Sequence, residues 1–506
     1  MSVTVCSAQV VGLDARPISV EVDITPGLHI FSIVGLADKE VQESRERISA
    51  AIKNVGAPPP HKKSQRVIVN LAPADIRKEG PAFDLAIALG YLLASGQLIF
   101  NPKESIFLGE LGLDGTLRKV SGVLPIAIAA SASGFKRLFV PKGNGAEAAM
   151  INGIDVIEAG HLADVIEHLA ERMEISPLPK QNPEFKPESA AIDFKDIRGQ
   201  EKAKRALEIA AAGNHNVLLW GSPGSGKTIL ARALSSILPP LTFEESLEVS
   251  KIYSITGLLN QDASFVRYRP FRSPHHTASH SSIIGGGTYP RPGEVTLAHR
   301  GVLFLDEFAE FDRRVIESLR QPLEERYVTI TRTQGTQTFP AQFMLIAAMN
   351  PCPCGHYGNP VKDCICTPGA VTKYTKKISG PMLDRIDIHV NVPPVEYDKL
   401  QGTDGESSEA IRSRVEQARK IQARRFHDRA IKSNAEMGLR EIKEFIPIGD
   451  SLKPILRMAH ERYRLSARAY HRLLKLSRTI ADLAGSEDIQ ERHLAESLQY
   501  RPQQET

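Results

Sequence analysis

Along the first 170 residues, short apolar blocks recur between polar ones. Val67, Ile68 and Val69, then Ile106, Phe107 and Leu108, then Leu138, Phe139 and Val140 are apolar on consecutive positions. Such runs mark strands buried on both faces. Phe83–Leu93 and Ile126–Ser133 are longer apolar stretches and predict helices. Strands and helices in alternation predict an α/β fold. From Ile175 to Ala190 the chain carries Pro177, Pro179, Pro183 and Pro187 among polar residues. Proline fixes φ and lacks an amide hydrogen, so this stretch predicts a linker. Gly199–Ala212 then predicts a helix and Asn216–Trp220 a buried strand, and the α/β pattern continues to about Val395. Gln401–Ser408, rich in Gly, Ser and Asp, marks another boundary, after which the pattern is helical. The expected organisation is an α/β domain over 1–174, a linker over 175–190, an α/β core over 191–400 and a helical domain over 409–506.

The strand ending at Trp220 runs into Gly221, Ser222, Pro223, Gly224, Ser225, Gly226, Lys227 and Thr228. This is G-x-x-x-x-G-K-[ST] between a strand and a helix, the context the motif needs. Its glycines let backbone amides converge on phosphate oxygens, and the helix N-terminus adds partial positive charge. The cofactors expected are ATP and Mg2+, with Lys227 on the β/γ-phosphates and Thr228 on the metal. Val302–Leu305 predicts a strand ending in two carboxylates. Asp306 is the expected second Mg2+ ligand and Glu307 the group that polarises an attacking water. Phe343–Ala348 predicts a third strand, and Asn350 beyond it can also position that water. Tyr327–Phe339 predicts a hairpin turning near Gly335.

Composition changes this picture at three points. Hydrophobic residues are 42% and charged residues 24% of 506, ordinary values that exclude a disordered chain. The net charge of +4 is mild, but residues 411–478 hold 18 Lys+Arg against 7 Asp+Glu. That block reads either as a solvated helical surface or as a contact with nucleotide phosphate or nucleic acid. Four of five cysteines, Cys352, Cys354, Cys364 and Cys366, crowd into fifteen positions. A C-x-C, nine residues, C-x-C loop is no secreted disulfide framework. It reads as four thiolates able to close around one Zn2+, or as four reduced thiols. No apolar run reaches the roughly 18 residues of a membrane span, and the N-terminus lacks signal-peptide segments, so a cytoplasmic protein is expected.

These nucleotide-site elements resemble the AAA+ ATPases, and the resemblance assigns further residues. Asn350 looks like sensor 1. The segment from Pro381 to Ile388 resembles the one that carries the arginine finger in the helicase-like clade, so Arg385 would reach a neighbouring subunit's γ-phosphate. Leu465 to Arg472 resembles the start of the sensor 2 helix, with Arg468 as the sensor. The long stretch Tyr253–His299 and the Tyr327–Phe339 hairpin resemble the helix-2 insert and pre-sensor hairpin of minichromosome-maintenance helicases and magnesium-chelatase subunits. In that clade both inserts face a ring pore, which would send Arg291, Arg332 and Gln334 toward DNA.

The whole chain resembles the YifB/ComM family of magnesium-chelatase-like proteins. The resemblance implies a hexameric, ATP-hydrolysing DNA motor, a helicase or branch-migration factor on single-stranded or branched DNA, as in natural transformation. A magnesium-chelatase-type subunit and an ATP-dependent remodeller of protein stand as alternatives. The N-terminal domain resembles the Lon-protease proteolytic domain, and the C-terminal domain a helical lid. At the Lon nucleophile and lysine positions stand Ala82 and Leu124. Alanine offers no nucleophile and leucine no base, so no Ser-Lys hydrolase is expected.

Overall fold

Two long strands, Val3–Val11 (β1) and Asp14–Pro26 (β2), open the chain as an antiparallel pair in which Val5 faces Val20. This is a computed structural model. It describes residues 2–62, 64–180, 192–259, 265–287, 290–333, 335–360, 362–396 and 405–501. The chain forms two units, Met1–Glu184 with Phe243–Val266, and Phe185–Thr242 with Arg267–Thr506.

In the first unit, β1 and β2 join Ile30–Val34 (β3), Gln65–Ala72 (β4), Ser105–Phe107 (β5), Arg137–Pro141 (β8) and Asp155–Ala159 (β9) in one sheet; Glu110–Leu111 (β6) and Leu117–Arg118 (β7) form a separate ribbon. The sheet order is β3-β4-β2-β1-β5-β8-β9, with β1, β5, β8 and β9 parallel. Successive side chains of a strand point to opposite faces. Phe107, Phe139 and Ile157 therefore join the core that includes the helix Asp84–Ala94. Their neighbours Ile106, Leu138, Val140 and Val156 join the core of the helix Val123–Ala132. Both helices lie close to the expected Phe83–Leu93 and Ile126–Ser133. The expected strands leave out β1 and β2, although Ile18, Val20, Val22 and Ile24 alternate with Ser19, Glu21, Asp23 and Thr25 in the pattern of a half-buried strand.

The segment Phe243–Val266 also builds this unit, although the sequence reading placed it within the 191–400 core. Its helix Phe243–Ile255 packs on Val123–Ala132, and Phe265 is buried with Leu124 and Met150. The Gly122 amide donates to the Ser254 carbonyl at 3.0 Å, and the Ser254 hydroxyl donates to the buried Glu147 carboxylate at 2.6 Å. These partners are more than a hundred positions apart in sequence, so local pattern carries no trace of them. Ala82 is the middle residue of the turn Pro81–Phe83, where its carbonyl accepts from the Gly109 amide, and Leu124 is fully buried.

The second unit is built on a parallel sheet of Phe271–Arg272 (β11), Val302–Leu305 (β14), Met344–Met349 (β17), Val217–Trp220 (β10) and Ile388–Asn391 (β18), in that spatial order. Two antiparallel hairpins leave it: Gly285–Gly286 (β12) with Arg291–Pro292 (β13), and Tyr327–Arg332 (β15) with Gly335–Pro340 (β16). The core continues into the C-terminal helices. Ile411, Val415 and Ala418 of Ser408–Arg425, and Leu476 and Ile480 of Ala467–Leu483, share it with the helix Glu201–Gly213.

Part of the basic stretch 411–478 is spent inside this unit, while Lys420, Arg424, Lys432, Arg457, Arg462 and Arg464 stay exposed. Arg419 donates to the Ala211 carbonyl, Arg472 to that of Ile386, and Arg412 to that of Ser236. Arg414 pairs with Glu208, and Arg425 with buried Asp482. Arginine suits this task because its planar fork binds carboxylates and backbone carbonyls at fixed geometry. Neither a free solvated face nor a nucleic-acid patch describes these five side chains. No helix among the described residues is long and apolar enough to cross a membrane.

Candidate functional site

Parallel α/β sheets gather ligands at the carboxyl ends of their strands. Here three adjacent ends carry the expected residues: β10 runs into Gly221, β14 into Asp306 and β17 into Asn350. The loop from Gly221 bends tightly before the helix Lys227–Ala233. A Cβ at Gly221 would lie 2.1 Å from the Val392 carbonyl oxygen, and Gly226 sits at φ +93°. Only glycine meets both demands.

The Lys227 ammonium is buried and donates to the carbonyls of Gly221 (2.7 Å) and Ser222 (2.9 Å) and to Asn350 Oδ1 (3.2 Å). Burial holds its pKa below the ordinary lysine value, with Asp306 acting in the opposite sense. The Thr228 hydroxyl donates to Asp306 Oδ2 at 2.7 Å. A hydroxyl and a carboxylate side by side form a hard oxygen donor set, the chemistry that Mg2+ takes. The Glu307 backbone lies in the left-handed region at φ 52°, and its carboxylate meets His276 Nδ1 at 2.8 Å. His276 belongs to the stretch that leads into the first hairpin. Its contact with Glu307 spans thirty-one positions and has no local signature, although the His275–His276 pair was visible in the sequence.

Arg385 and Arg468 are brought together, but not at this loop. Both pair with Glu324, Arg385 at 2.7 Å. Arg385 is held against its own chain, its side chain 8% exposed and its Nε buried without a hydrogen-bond partner among the described residues. Burial and nearby Arg320 hold its pKa down. Glu324, at the hub of both arginines, was absent from the sequence reading.

The two hairpins lie side by side. A Cβ at Gly285 would meet Ile330 Cδ1 at 2.4 Å, and one at Gly286 would come within 3.1 Å of the Arg332 guanidinium. Gly286 is the register partner of Arg291. Two exposed arginines forty-one positions apart in sequence therefore share one surface. Gln334 lies outside the described residues.

The four clustered cysteines bring their sulfurs within 4.8 Å of one another. Their loop packs on the phosphate loop. The Asn359 side-chain amide donates to Ser222 Oγ at 3.0 Å, and a Cβ at Gly355 would strike Pro223 Cδ at 2.5 Å. Tyr374 nearby is pushed up to about 12 by burial, then by Glu310 and Cys352.

Residues 193–400 match the family described as magnesium chelatase, subunit ChlI; residues 20–144 match subunit ChlI of Mg-chelatase, and residues 405–501 its C-terminal part. The chain is 43% identical over 502 residues to competence protein ComM of Haemophilus influenzae, covering 97% of this chain and 95% of that one. It is 43% identical over 496 residues to the protein YifB of Escherichia coli, with 97% and 95% covered. Lon protease 2 of Bacillus subtilis is 33% identical over 149 residues, 27% of this chain and 26% of the protease.

Proposed function

Because the chain belongs to the YifB/ComM family of magnesium-chelatase-like proteins, we propose that it is an ATPase that couples hydrolysis to movement of DNA. The observation that carries this reading is the convergence of Lys227, Thr228, Asp306 and Asn350 at three neighbouring strand ends. Lys227 neutralises the β/γ-phosphates, and the amides of the Gly221–Thr228 loop cradle them. Thr228 and Asp306 hold Mg2+, which when bound offsets charge developing on the phosphates. Glu307 accepts a proton from the attacking water, which Asn350 helps to orient. His276 restrains the Glu307 carboxylate and ties its position to the insert that follows. Arg385 completes the site of a neighbouring copy, and Arg468 reads nucleotide state. In that reading the copies form a hexameric ring, and Glu324 holds both arginines until nucleotide draws them away.

The DNA half of the proposal rests on the paired hairpins and on the relative named a competence protein. Arg291 and Arg332 present charge to a backbone that is the same in every sequence, and Gln334 falls on the same turn in the sequence reading. The Lon-like domain serves as scaffold, without proteolysis, and the protein works in the cytoplasm. The magnesium-chelatase match favours a second reading, a subunit that drives metal insertion into a porphyrin. ATP turnover with and without single-stranded, duplex and four-way-junction DNA separates the two. Stimulation by DNA supports the motor. Turnover indifferent to all three DNA forms, but raised by partner chelatase subunits, moves the protein to the second reading.

A further inference from the structure

We propose that Cys352, Cys354, Cys364 and Cys366 form a structural zinc site whose loop braces the phosphate loop, so that loss of the metal weakens nucleotide binding. The site stands on sulfur geometry. Cys352 Sγ lies 3.4 Å from Cys354 Sγ and 3.6 Å from Cys364 Sγ, and Cys354 Sγ lies 3.6 Å from Cys364 Sγ. All four sulfurs, Cys366 included, fall within 4.8 Å of one another. A tetrahedral Zn2+ with bonds near 2.3 Å spaces its thiolates about 3.8 Å apart. A disulfide needs about 2.05 Å, far below any of these separations. A four-iron cluster holds its cysteines further apart than one ion does, so the set fits one ion.

The surroundings fit as well. The Tyr357 amide donates to Cys352 Sγ at 3.3 Å, and the Cys366 amide to Cys364 Sγ at 3.4 Å. Amides aimed at sulfur stabilise thiolate charge and fix the ligands' orientation, which is what outer partners of a metal site do. Four thiols binding Zn2+ release their protons to solvent and leave a closed, four-coordinate centre with no open position. The chemistry is therefore structural.

Between its two C-x-C pairs the loop carries Gly355 and Asn359. Asn359 donates to Ser222 Oγ, and Gly355 lies so close to Pro223 that no side chain fits between them. Ser222 and Pro223 belong to the phosphate loop, and the Ser222 carbonyl accepts from the Lys227 ammonium. The cysteine loop begins two residues after Asn350, which binds the same ammonium. The centre thus holds the phosphate loop from outside and Asn350 along the chain. This inference rests on the nucleotide reading above for its consequence, though not for the metal.

The test uses the full chain purified without chelator. Elemental analysis should give one zinc per chain, and the Cys364→Ser/Cys366→Ser protein should fall to background. A fluorescent ATP analogue should bind that protein at least tenfold more weakly. Because the serine variant could lose its fold, Asn359→Ala provides a second arm. It should keep one zinc per chain and bind the analogue at least threefold more weakly. Protein without metal, which takes up none after zinc addition and desalting, overturns the site. One zinc per chain with analogue affinity unchanged within twofold, in Asn359→Ala and after zinc removal, overturns the brace. Wild-type protein that holds zinc and binds no nucleotide sinks both the brace and the nucleotide reading, and leaves the metal site standing.

Discussion

Lys227 and Glu307 occupy one site and should fail differently when replaced. Lys227 is the buried cation facing Ser222 and Asn350. Lys227→Ala should weaken ATP binding itself, read by titration of a fluorescent analogue. Glu307→Gln keeps Thr228 and Asp306 intact, so nucleotide should stay bound while hydrolysis falls at least ~100-fold, the scale of a lost general base. Phosphate release near the wild-type rate in the glutamine variant would remove Glu307 from the mechanism. The residues of this prediction were legible in the sequence because they are contiguous or end a strand. Their partners were not. His276 on Glu307 and Glu324 between Arg385 and Arg468 are contacts across the chain.

At the scale of elements, β12–β13 and β15–β16 act as one surface because Ile330 and Arg332 lie against the two glycines of β12. Replacing Arg291 and Arg332 together with alanine should remove the DNA-stimulated part of hydrolysis. It should also lower the slope of log affinity against log salt by about 1 or more, since each phosphate contact released contributes nearly one. Full stimulation and an unchanged slope would send the DNA path elsewhere. The strand β18 carries a separate prediction. Burial, and then the Arg472 guanidinium, hold the His389 imidazole down to about 4 from 6.5, with Asp387 acting in the opposite sense. The ring reaches the Ile386 carbonyl at 3.2 Å. A depressed imidazole stays neutral in the fold while the unfolded chain takes up its proton. Stability is therefore complete above about pH 6.5 and is lost as pH falls toward 4. By pH 5 the loss is about 2 kcal/mol. Thermal melts of wild type and His389→Gln between pH 7 and 5 check this, and the variant should show the shallower decline.

For the whole molecule, the assembly prediction concerns sites shared between copies. Arg385→Ala protein should bind ATP and hydrolyse it poorly. Mixing it with Glu307→Gln protein should recover part of the rate, because some interfaces then join an intact arginine to an intact glutamate. Activity independent of concentration in a strict monomer would end the shared-site idea. The chain passes between its two units three times, since Phe243–Val266 returns to the first. By itself the sequence determined the α/β class, the strand ends that carry Gly221–Thr228, Asp306 and Asn350, and the cysteine spacing. Each of these is written in residues a few positions apart, where periodicity, turn chemistry and motif spacing act. The tertiary structure alone decided that the Phe243–Ile255 helix packs on Leu124 and Glu147, that Arg412, Arg414, Arg419, Arg425 and Arg472 of the basic block are taken up by carbonyls and carboxylates, and that the cysteine loop lies against Ser222. Those outcomes depend on burial and hydrogen bonds between segments tens to hundreds of residues apart, and only the folded chain brings such groups within reach.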